Sequence, residues 1–344
     1  MIIWMLIKRF RRRRAERREA EAAAAKEPPP APAVPASASG TGLDRGAAIS
    51  VRGLRKAYGP REAVRGVDFD VQPGEIVAFL GPNGAGKTTT VEILEGFRSR
   101  SGGEVQVLGE DPAVAGRGWR ERIGVVLQES EPEPYLTARQ CLELYGGYYD
   151  RPRPVDETLE LVGLRDRADT VAKDLSGGQR RRLDVALALV GDPELVFLDE
   201  PTTGFDPSAR RSAWQVVAGL RELGKTIFLT THYMDEAEFL ADRIVVLAGG
   251  VIVAEGTPAG LGGRDRSAAR ITFTLPAGAG AHALPRGFSP AAEGRVEATT
   301  TAPLADLREL AAWAAAAGVD LPDLEVRRPT LEDVYLELTG ATGA

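Results

Sequence analysis

The sequence predicts an α/β fold with a mainly parallel sheet, followed by a small α+β domain. Short apolar runs typical of buried parallel strands alternate with helical segments. Four runs carry this pattern: EIVAFL (75–80), LVFLDE (195–200), TIFLTTH (226–232) and RIVVLAGG (243–250). Hydrophobic residues make up 43% of the 344 residues and charged residues 27%, so most of the chain can bury a core.

The remaining elements follow from local patterns. Segments 50–58 and 64–71 flank a GPRE turn and predict an antiparallel β edge, and residues 135–164 predict helix. After about residue 261, ITFTLP and RVEATTTAP predict strands, LADLRELAAWAAAAG an amphipathic helix, and LEVRRPTLEDVYLELTG a strand that runs into a helix. We therefore expect a tail and linker over 1–47, a main domain over 48–262 and an accessory domain over 263–344.

Composition excludes several classes of protein. Cys141 is the sole cysteine, which excludes an internal disulfide framework, and two histidines cannot form a His-rich metal site. Residues 1–26 hold nine basic and three acidic residues, a local charge of +6, so the rest carries −12 within the net −6. An acidic body argues against nucleic-acid binding. No apolar stretch reaches eighteen residues, so the sequence predicts no transmembrane helix and a cytosolic location.

The N-terminal tail admits two interpretations. The start, MIIWMLIKRFRRRR, fits a short interfacial anchor with Trp4 and Phe10 at anionic lipid. The segment also fits a solvated tail, or a start codon assigned too far upstream. A single short anchor binds lipid only marginally, which favours the solvated tail or misassigned start over the anchor. The Pro/Ala-rich segment 28–42 predicts an extended linker.

A phosphate-binding loop occupies residues 81–88, GPNGAGKT, between a predicted strand and a predicted helix. Glycines let the backbone wrap closely around phosphates, so that N–H groups and the helix N-terminus point at them. Lys87 is expected to lie between the β- and γ-phosphates, and Thr88 to hold Mg²⁺. The predicted nucleotide-binding residues here are Gly81, Pro82, Asn83, Gly84, Ala85, Gly86, Lys87, Thr88 and Thr89.

Two acids end the strand LVFLDE. Asp199 emerges at the carboxyl end of a buried strand, where open α/β sheets bind ligands, and is positioned to hold Mg²⁺ directly or through water. Glu200 is suited to orient or deprotonate the attacking water. Alone, such a pair is usually two solvated carboxylates, but beside a phosphate loop it indicates nucleotide hydrolysis.

The segment LSGGQ (175–179) provides a second candidate anion site at the start of a predicted helix. With this segment the chain resembles the nucleotide-binding subunit of ATP-binding cassette (ABC) transporters, a P-loop NTPase fold with a helical subdomain. The resemblance implies that LSGGQ is the signature motif, which closes over ATP held by the partner subunit. The residues concerned are Ser176, Gly177, Gly178 and Gln179.

The resemblance assigns further single residues. It implies that Tyr58 stacks on adenine, that Gln128 reaches Mg²⁺ and the γ-phosphate, and that His232 contacts the γ-phosphate. It also places Asp206 in a loop that crosses the dimer interface, where the alternative is an ordinary helix N-cap. It covers residues 49–262 in full, and not the tail.

THYMDEAE and RPTLEDVYLELTG resemble the drug-export and ABC-2 type branch. This implies a bacterial ATPase that uses ATP and Mg²⁺ and forms a homodimer at the cytoplasmic face of the membrane. It would drive a separate multi-span permease that exports a drug, antibiotic, lipid or polymer, and the segment near 129–144 would face that permease.

The alternatives are a soluble ABC ATPase acting on ribosomes or DNA, and an importer ATPase. The single phosphate loop argues against the soluble classes. So does the separation of only 87 positions between Lys87 and Asp174, which holds no sustained heptads.

Overall fold

The computed structural model describes residues 42–127, 132–264, 267–275, 284–291, 294–321 and 323–339. The predicted anchor or tail at residues 1–41 and Gln128 lie outside the described residues. The chain forms two compact units, an N-terminal unit that ends at Glu255 and a C-terminal unit that starts at Gly256. The domain ranges expected from the sequence, 48–262 and 263–344, stay predictions.

The N-terminal unit is built around a six-stranded sheet. Its strands are β3 (Ile76–Leu80), β5 (Ile123–Val126), β6 (Leu195–Asp199), β7 (Thr226–Thr231), β8 (Arg243–Ala248) and β9 (Val251–Gly256), in the order β5-β6-β7-β3-β8-β9. The pairs β5/β6, β6/β7, β7/β3 and β3/β8 are all parallel. Every residue of β3, β6 and β7 is buried, as their apolar sequences predict. The predicted α/β class is confirmed.

The antiparallel strands form a separate sheet. β1 (Ile49–Tyr58) pairs antiparallel with β2 (Arg61–Val71) and with β4 (Gly102–Val107), in the order β2-β1-β4. The predicted antiparallel pair is thus confirmed, but it is not an edge of the parallel sheet. Phe69 of β2 lies against Phe79 and Phe228, with ring centroids 5.7 and 5.8 Å apart, so aromatic packing joins the two sheets.

Helices complete the N-terminal unit: α1 (Lys87–Leu94), α2 (Arg117–Glu121), α3 (Ala138–Gly146), α4 (Val155–Leu161), α5 (Gly177–Leu189), α6 (Pro207–Glu222) and α7 (Met234–Leu240). The prediction of helix throughout 135–164 was wrong, because α3 and α4 are separate. Between them lie Gly147 and then Pro152 and Pro154, and a proline disfavours helix for the residue before it. Thr137 and Gln140 form a capping box that starts α3.

The C-terminal unit is α+β, as predicted. Strands β10 (Ala269–Thr274), β11 (Ser289–Pro290), β12 (Arg295–Thr300) and β13 (Glu325–Arg327) form an antiparallel sheet in the order β11-β12-β10-β13. Helices α8 (Pro303–Ala317) and α9 (Leu331–Thr339) complete it. Its core contains Ile271, Phe273, Val296 and Leu310.

The structure contains no helix, among the residues it describes, that is both long enough and apolar enough to cross a bilayer.

Candidate nucleotide-binding site

Three chemically distinct segments meet at one edge of the six-stranded sheet. β6, β7 and β3 are consecutive parallel neighbours, so their carboxyl ends lie side by side. The phosphate loop follows β3, Asp199 ends β6 with Glu200 after it, and His232 follows β7. This edge is where open α/β sheets bind ligands. The topology therefore brings together residues that are more than 140 positions apart in sequence.

The phosphate loop has a backbone that its glycines make possible. Gly84 has φ 80° and Gly86 has φ 105°, both in the left-handed region. A Cβ at Gly86 would lie 2.5 Å from the carbonyl oxygen of Ala63. Gly86 caps α1, whose first residue is Lys87. The loop thus leads directly into a helix N-terminus, which favours a phosphate.

Lys87 is almost fully buried, with 6% of its surface exposed. Its Nζ donates to the carbonyl oxygen of Gly81 at 2.6 Å and of Pro82 at 3.3 Å. Burial lowers the pKa of Lys87, while the nearby carboxylates of Glu200 and Asp199 act in the opposite direction. A bound anion would stabilise an ammonium group that is buried in this way against main-chain carbonyls. Within the loop, Pro82, Asn83, Gly84 and Thr88 are exposed, Ala85 is buried, and Thr89 is half-buried.

Asp199 is held by the neighbouring strand. It is 6% exposed, and its Oδ1 accepts a hydrogen bond of 2.7 Å from the Thr230 hydroxyl. Thr230 is the residue paired with Asp199 across β6 and β7, so the parallel register itself fixes this contact. Thr230 therefore holds the Asp199 carboxylate at the edge of the sheet where the phosphate loop follows β3. The carboxylate oxygens are hard donors, which suit Mg²⁺.

Glu200 and His232 lie close together. The Glu200 Oε2 atom is 3.5 Å from Nδ1 of His232 and accepts a 3.1 Å hydrogen bond from the Thr203 hydroxyl. Glu200 has φ 46°, a left-handed conformation that is costly for a residue with a side chain. Its N–H donates to the carbonyl and the hydroxyl oxygen of Thr230, both at 3.1 Å. The turn aims the carboxylate away from the strand and toward the histidine.

The signature segment starts helix α5. Ser176 is the N-cap, and it forms a capping box in which the Gln179 N–H donates to the Ser176 hydroxyl at 3.3 Å. In return, the Ser176 N–H donates to Gln179 Oε1 at 3.0 Å. Ser176 and Gly177 are exposed, while Gly178 and Gln179 are half-buried. The segment therefore presents a capped helix N-terminus at the surface rather than inside the site at the sheet edge.

The signature segment and the loop that contains Asp206 line one open cavity of about 480 Å³. Thr203, Gly204, Phe205 and Asp206 form its other side, and Arg182 adds a cation. Asp206 is the N-cap of α6, where its Oδ1 accepts from Ser208 N and Ala209 N at 2.9 Å each. The N-cap considered as the alternative for Asp206 is thus present. No local pattern indicated that residues 176–179 and 203–206 share a cavity.

Tyr58 ends β1 and is half-buried, with two cations near its ring. The Lys56 ammonium and the Arg98 guanidinium each lie 5.3 Å from its ring centroid. An adenine stacked on this ring would also meet these charges. Gln128, the remaining residue expected in the site, lies outside the described residues.

Sequence reasoning missed several residues that hold the site together. Thr230 and Thr203 bind the two carboxylates. The position of Thr230 near the end of β7 was the available signal for it, whereas Thr203 lies in the turn after β6. Glu236 is fully buried and accepts from Thr202 and Trp214 at 2.8 and 2.9 Å, and burial raises its pKa. Arg181 was hidden in the run RRR, which is typical of a surface charge cluster, yet its side chain is buried.

The donor set suits a hard cation. The described residues hold no cluster of three or more His, Cys, Asp or Glu side chains that could form a protein-only metal cage. Mg²⁺ is commonly held by one or two protein oxygens together with phosphate oxygens and waters. The Asp199 carboxylate and the Thr88 hydroxyl are oxygen donors of this kind.

A phosphate loop, an acid-ended strand, a histidine after the next strand and a signature segment define an ATP-binding cassette. Comparison with known proteins agrees. The family model described as ABC transporter matches residues 64–203. A second model, ABC transporter domain-containing protein-like, C-terminal domain, matches residues 269–330.

Relatives match most of the chain. Daunorubicin resistance ATP-binding protein DrrA3 of Streptomyces coeruleorubidus is 39% identical over 306 residues, which cover 85% of this chain and 96% of the relative. Nod factor export ATP-binding protein I of Ralstonia nicotianae is 43% identical over 225 residues, covering 64% of this chain and 70% of the relative. The chain belongs to the ATP-binding subunits of the ABC transporter family.

Solved structures share the cassette fold. A dimeric ATP-binding cassette in a post-hydrolysis state, bound to ADP and Pi, is 28% identical with a TM-score of 0.54, and the match covers 61% of this chain and 98% of that one. The cassette cbiO1 of Clostridium perfringens, described as part of an ABC transporter complex, is 28% identical with a TM-score of 0.57, covering 62% and 90%. The chain is therefore an ABC-type ATPase that binds ATP.

Proposed function

We propose that this chain is the ATP-hydrolysing subunit of an exporter, in which two copies bind two ATP·Mg²⁺ and drive a separate ABC-2 type permease. The proposal that the chain hydrolyses ATP is supported by one observation. Lys87, Glu200 and His232 lie together at the ends of β3, β6 and β7. The proposal of export is supported by relatives named for daunorubicin resistance and Nod factor export.

The phosphate loop supplies binding. Backbone N–H groups of residues 81–89 and the N-terminus of α1 face the phosphates, and the buried Lys87 ammonium exchanges carbonyl partners for phosphate oxygens. Tyr58 stacks on adenine. Asp199 and Thr88, with Gln128, would hold Mg²⁺, which would neutralise charge on the phosphates when bound.

The pair of Glu200 and His232 supplies the proton chemistry. The carboxylate of Glu200 orients a water molecule and accepts its proton as the water oxygen attacks the γ-phosphorus and ADP leaves. His232, 3.5 Å from Glu200, has one ring nitrogen toward the carboxylate and can offer the other to the γ-phosphate. Thr203 fixes the carboxylate from the other side.

The signature segment completes the site of a second copy. Ser176 and Gly177 are exposed at a helix N-terminus, and Asp206 lies on the opposite wall of the same open cavity. We propose that the γ-phosphate bound to one copy enters this cavity of its partner, so that ATP joins two chains. The chain would lie at the cytoplasmic face of the membrane beside its permease. A soluble ATPase acting on ribosomes or DNA, and an importer ATPase, are the alternatives.

The purified chain should hydrolyse ATP. Glu200→Gln should still bind ATP, but its kcat should fall by about 10²- to 10⁴-fold, because the variant loses the group that accepts the proton. Glu222→Gln, which changes an exposed carboxylate at the end of α6, is the matched control and should keep normal turnover. Malachite-green phosphate release and a fluorescent-nucleotide titration measure the two quantities. Normal turnover in Glu200→Gln would contradict the role of Glu200.

Co-purification tests the partner. Full-length chain isolated from its native membranes should carry a multi-span permease, whereas ribosomal particles or DNA would overturn the export proposal. Neither outcome depends on which substance is transported.

A further inference from the structure

Arg181 lies in the N-terminal unit, two residues after the signature segment, on helix α5. Only 8% of its surface is exposed, although it belongs to a run of three arginines whose other two members are less buried. Burying a guanidinium is costly unless its N–H groups find acceptors. At Arg181 hydrogen bonds offset this cost, because the side chain donates to main-chain carbonyls beside the carboxylate of Glu200.

The guanidinium of Arg181 donates to three main-chain carbonyls on two stretches of chain. Its Nε donates to the carbonyl oxygen of Pro201 at 3.0 Å, and one terminal nitrogen donates to the carbonyl oxygen of Asp199 at 3.1 Å. The other terminal nitrogen donates to the carbonyl oxygen of Leu127, just after β5. That nitrogen is also 3.9 Å from the carboxylate of Asp184, one turn along α5.

Two of these acceptors flank Glu200. Asp199 and Pro201 are its chain neighbours, and Glu200 itself has the left-handed φ of 46°. A backbone conformation of this kind persists only where its surroundings hold it in place. The planar fork of an arginine can hold two carbonyls at fixed separation, which the single ammonium of a lysine cannot.

We infer that Arg181 is a positioning residue for Glu200: it clamps the main chain on both sides of that carboxylate and ties it to the helix that begins with the signature segment. The inference rests on the proposed role of Glu200. It gives the signature helix of each chain a direct mechanical connection to the hydrolytic carboxylate of the same chain. A displacement of α5 would thereby be transmitted to Glu200.

The test is a kinetic comparison of Arg181→Lys with the wild-type chain. The variant keeps the charge but loses the fork, so kcat should fall about 10- to 100-fold, in the range that a misplacement of about 1 Å produces. KM for ATP and the affinity for ATP should stay within about threefold, because no nucleotide-binding residue is altered. A purely structural role would instead lower stability without this separation of kcat from KM.

Arg243→Lys is the matched control. Arg243 is another largely buried arginine of the N-terminal unit, and it bonds to the Glu75 carboxylate at 2.7 Å and to the main-chain carbonyl of Asp70. This variant should lower the thermal midpoint comparably and leave kcat near the wild-type value. An equal loss of kcat in both variants, or normal kcat in Arg181→Lys, would overturn the inference.

A second variant covers the case in which Arg181→Lys does not fold. Arg181→Met keeps an unbranched side chain but removes every N–H donor of the guanidinium, and should show the same loss of kcat. Failure of both Arg181 variants to fold, beside a folded Arg243→Lys, would overturn the inference in favour of a role in folding alone.

If the wild-type chain itself lacks ATPase activity, the proposed function fails. If the wild type is active and Glu200→Gln inactive, a normal Arg181→Lys refutes only the positioning role.

Discussion

The two anion-seeking surfaces of the N-terminal unit are built in opposite ways. At the phosphate loop, Lys87 and Asp199 are each 6% exposed and bonded to neighbouring strands or loop carbonyls. At the signature segment, Ser176 and Gly177 are exposed and line an open cavity with Asp206. The first surface can hold phosphates within one chain. The second is an open cavity, as a surface completed by another molecule would be, although residues 203–206 form one side of it.

The comparison also separates two uses of glycine. Gly86 of the phosphate loop is required by the fold, because its φ of 105° and the nearby Ala63 carbonyl exclude a side chain. Gly177 of the signature segment lies in helix, and a Cβ there would meet nothing within 4 Å. The fold does not need glycine at position 177. A ligand that approaches the helix N-terminus closely would need it.

Of the two effects that this comparison predicts, the larger concerns Lys87. Lys87→Met should weaken ATP binding by about 10- to 100-fold, since a charge-assisted contact to phosphate contributes about 1.5–3 kcal/mol. The matched control is Lys225→Met, which removes a lysine of the same unit that pairs with Asp192 at 2.9 Å, away from the loop. Isothermal titration with ATP measures both affinities. Equal affinity in the two variants would show that the phosphate loop is not the binding surface.

A smaller effect distinguishes the two glycines by stability. Gly86→Ala should lower the free energy of unfolding by about 2 kcal/mol or more, because alanine in the left-handed region costs about 1–2 kcal/mol before any clash is counted. Gly177→Ala should change stability by no more than about 1 kcal/mol, since alanine is accepted in helix. Thermal unfolding followed by circular dichroism compares them. Equal midpoints would refute the distinction between a glycine that the fold requires and one that it does not.

Much of this site was predictable because its signals are local. A phosphate loop between a strand and a helix, and acids at the end of an apolar strand, depend on neighbours in sequence, so the amino-acid order alone places residues 81–88 and Asp199 at the carboxyl ends of strands. The split of the helix expected over 135–164 was also signalled locally, by Pro152 and Pro154.

The residues that were missed depend on tertiary contacts. Thr230 orients Asp199 because β6 and β7 pair in one particular register, which no local pattern specifies. Arg181 looks like its two neighbours in sequence, and only the packing of α5 against β5 and β6 turns it inward. The cavity shared by residues 176–179 and 203–206 likewise arises from the approach of α5 to α6. These three features depend on strand order and helix packing, which are properties of the whole fold and not of a local segment of the sequence.

The measurement that tests the account most directly is the ATP-dependent association of two chains. Sedimentation velocity of Glu200→Gln should show single chains without nucleotide and pairs with ATP and Mg²⁺, because this variant hydrolyses bound ATP only very slowly. Adding Gly177→Asp places a negative charge at the signature surface, while an acid at a helix N-terminus does not harm the fold. The double variant should still bind ATP but stay as single chains. Gly219→Asp, at another open helical position, should leave pairing intact. Pairing of the Gly177→Asp chain with ATP would contradict the claim that the signature surface of one chain completes the site of another.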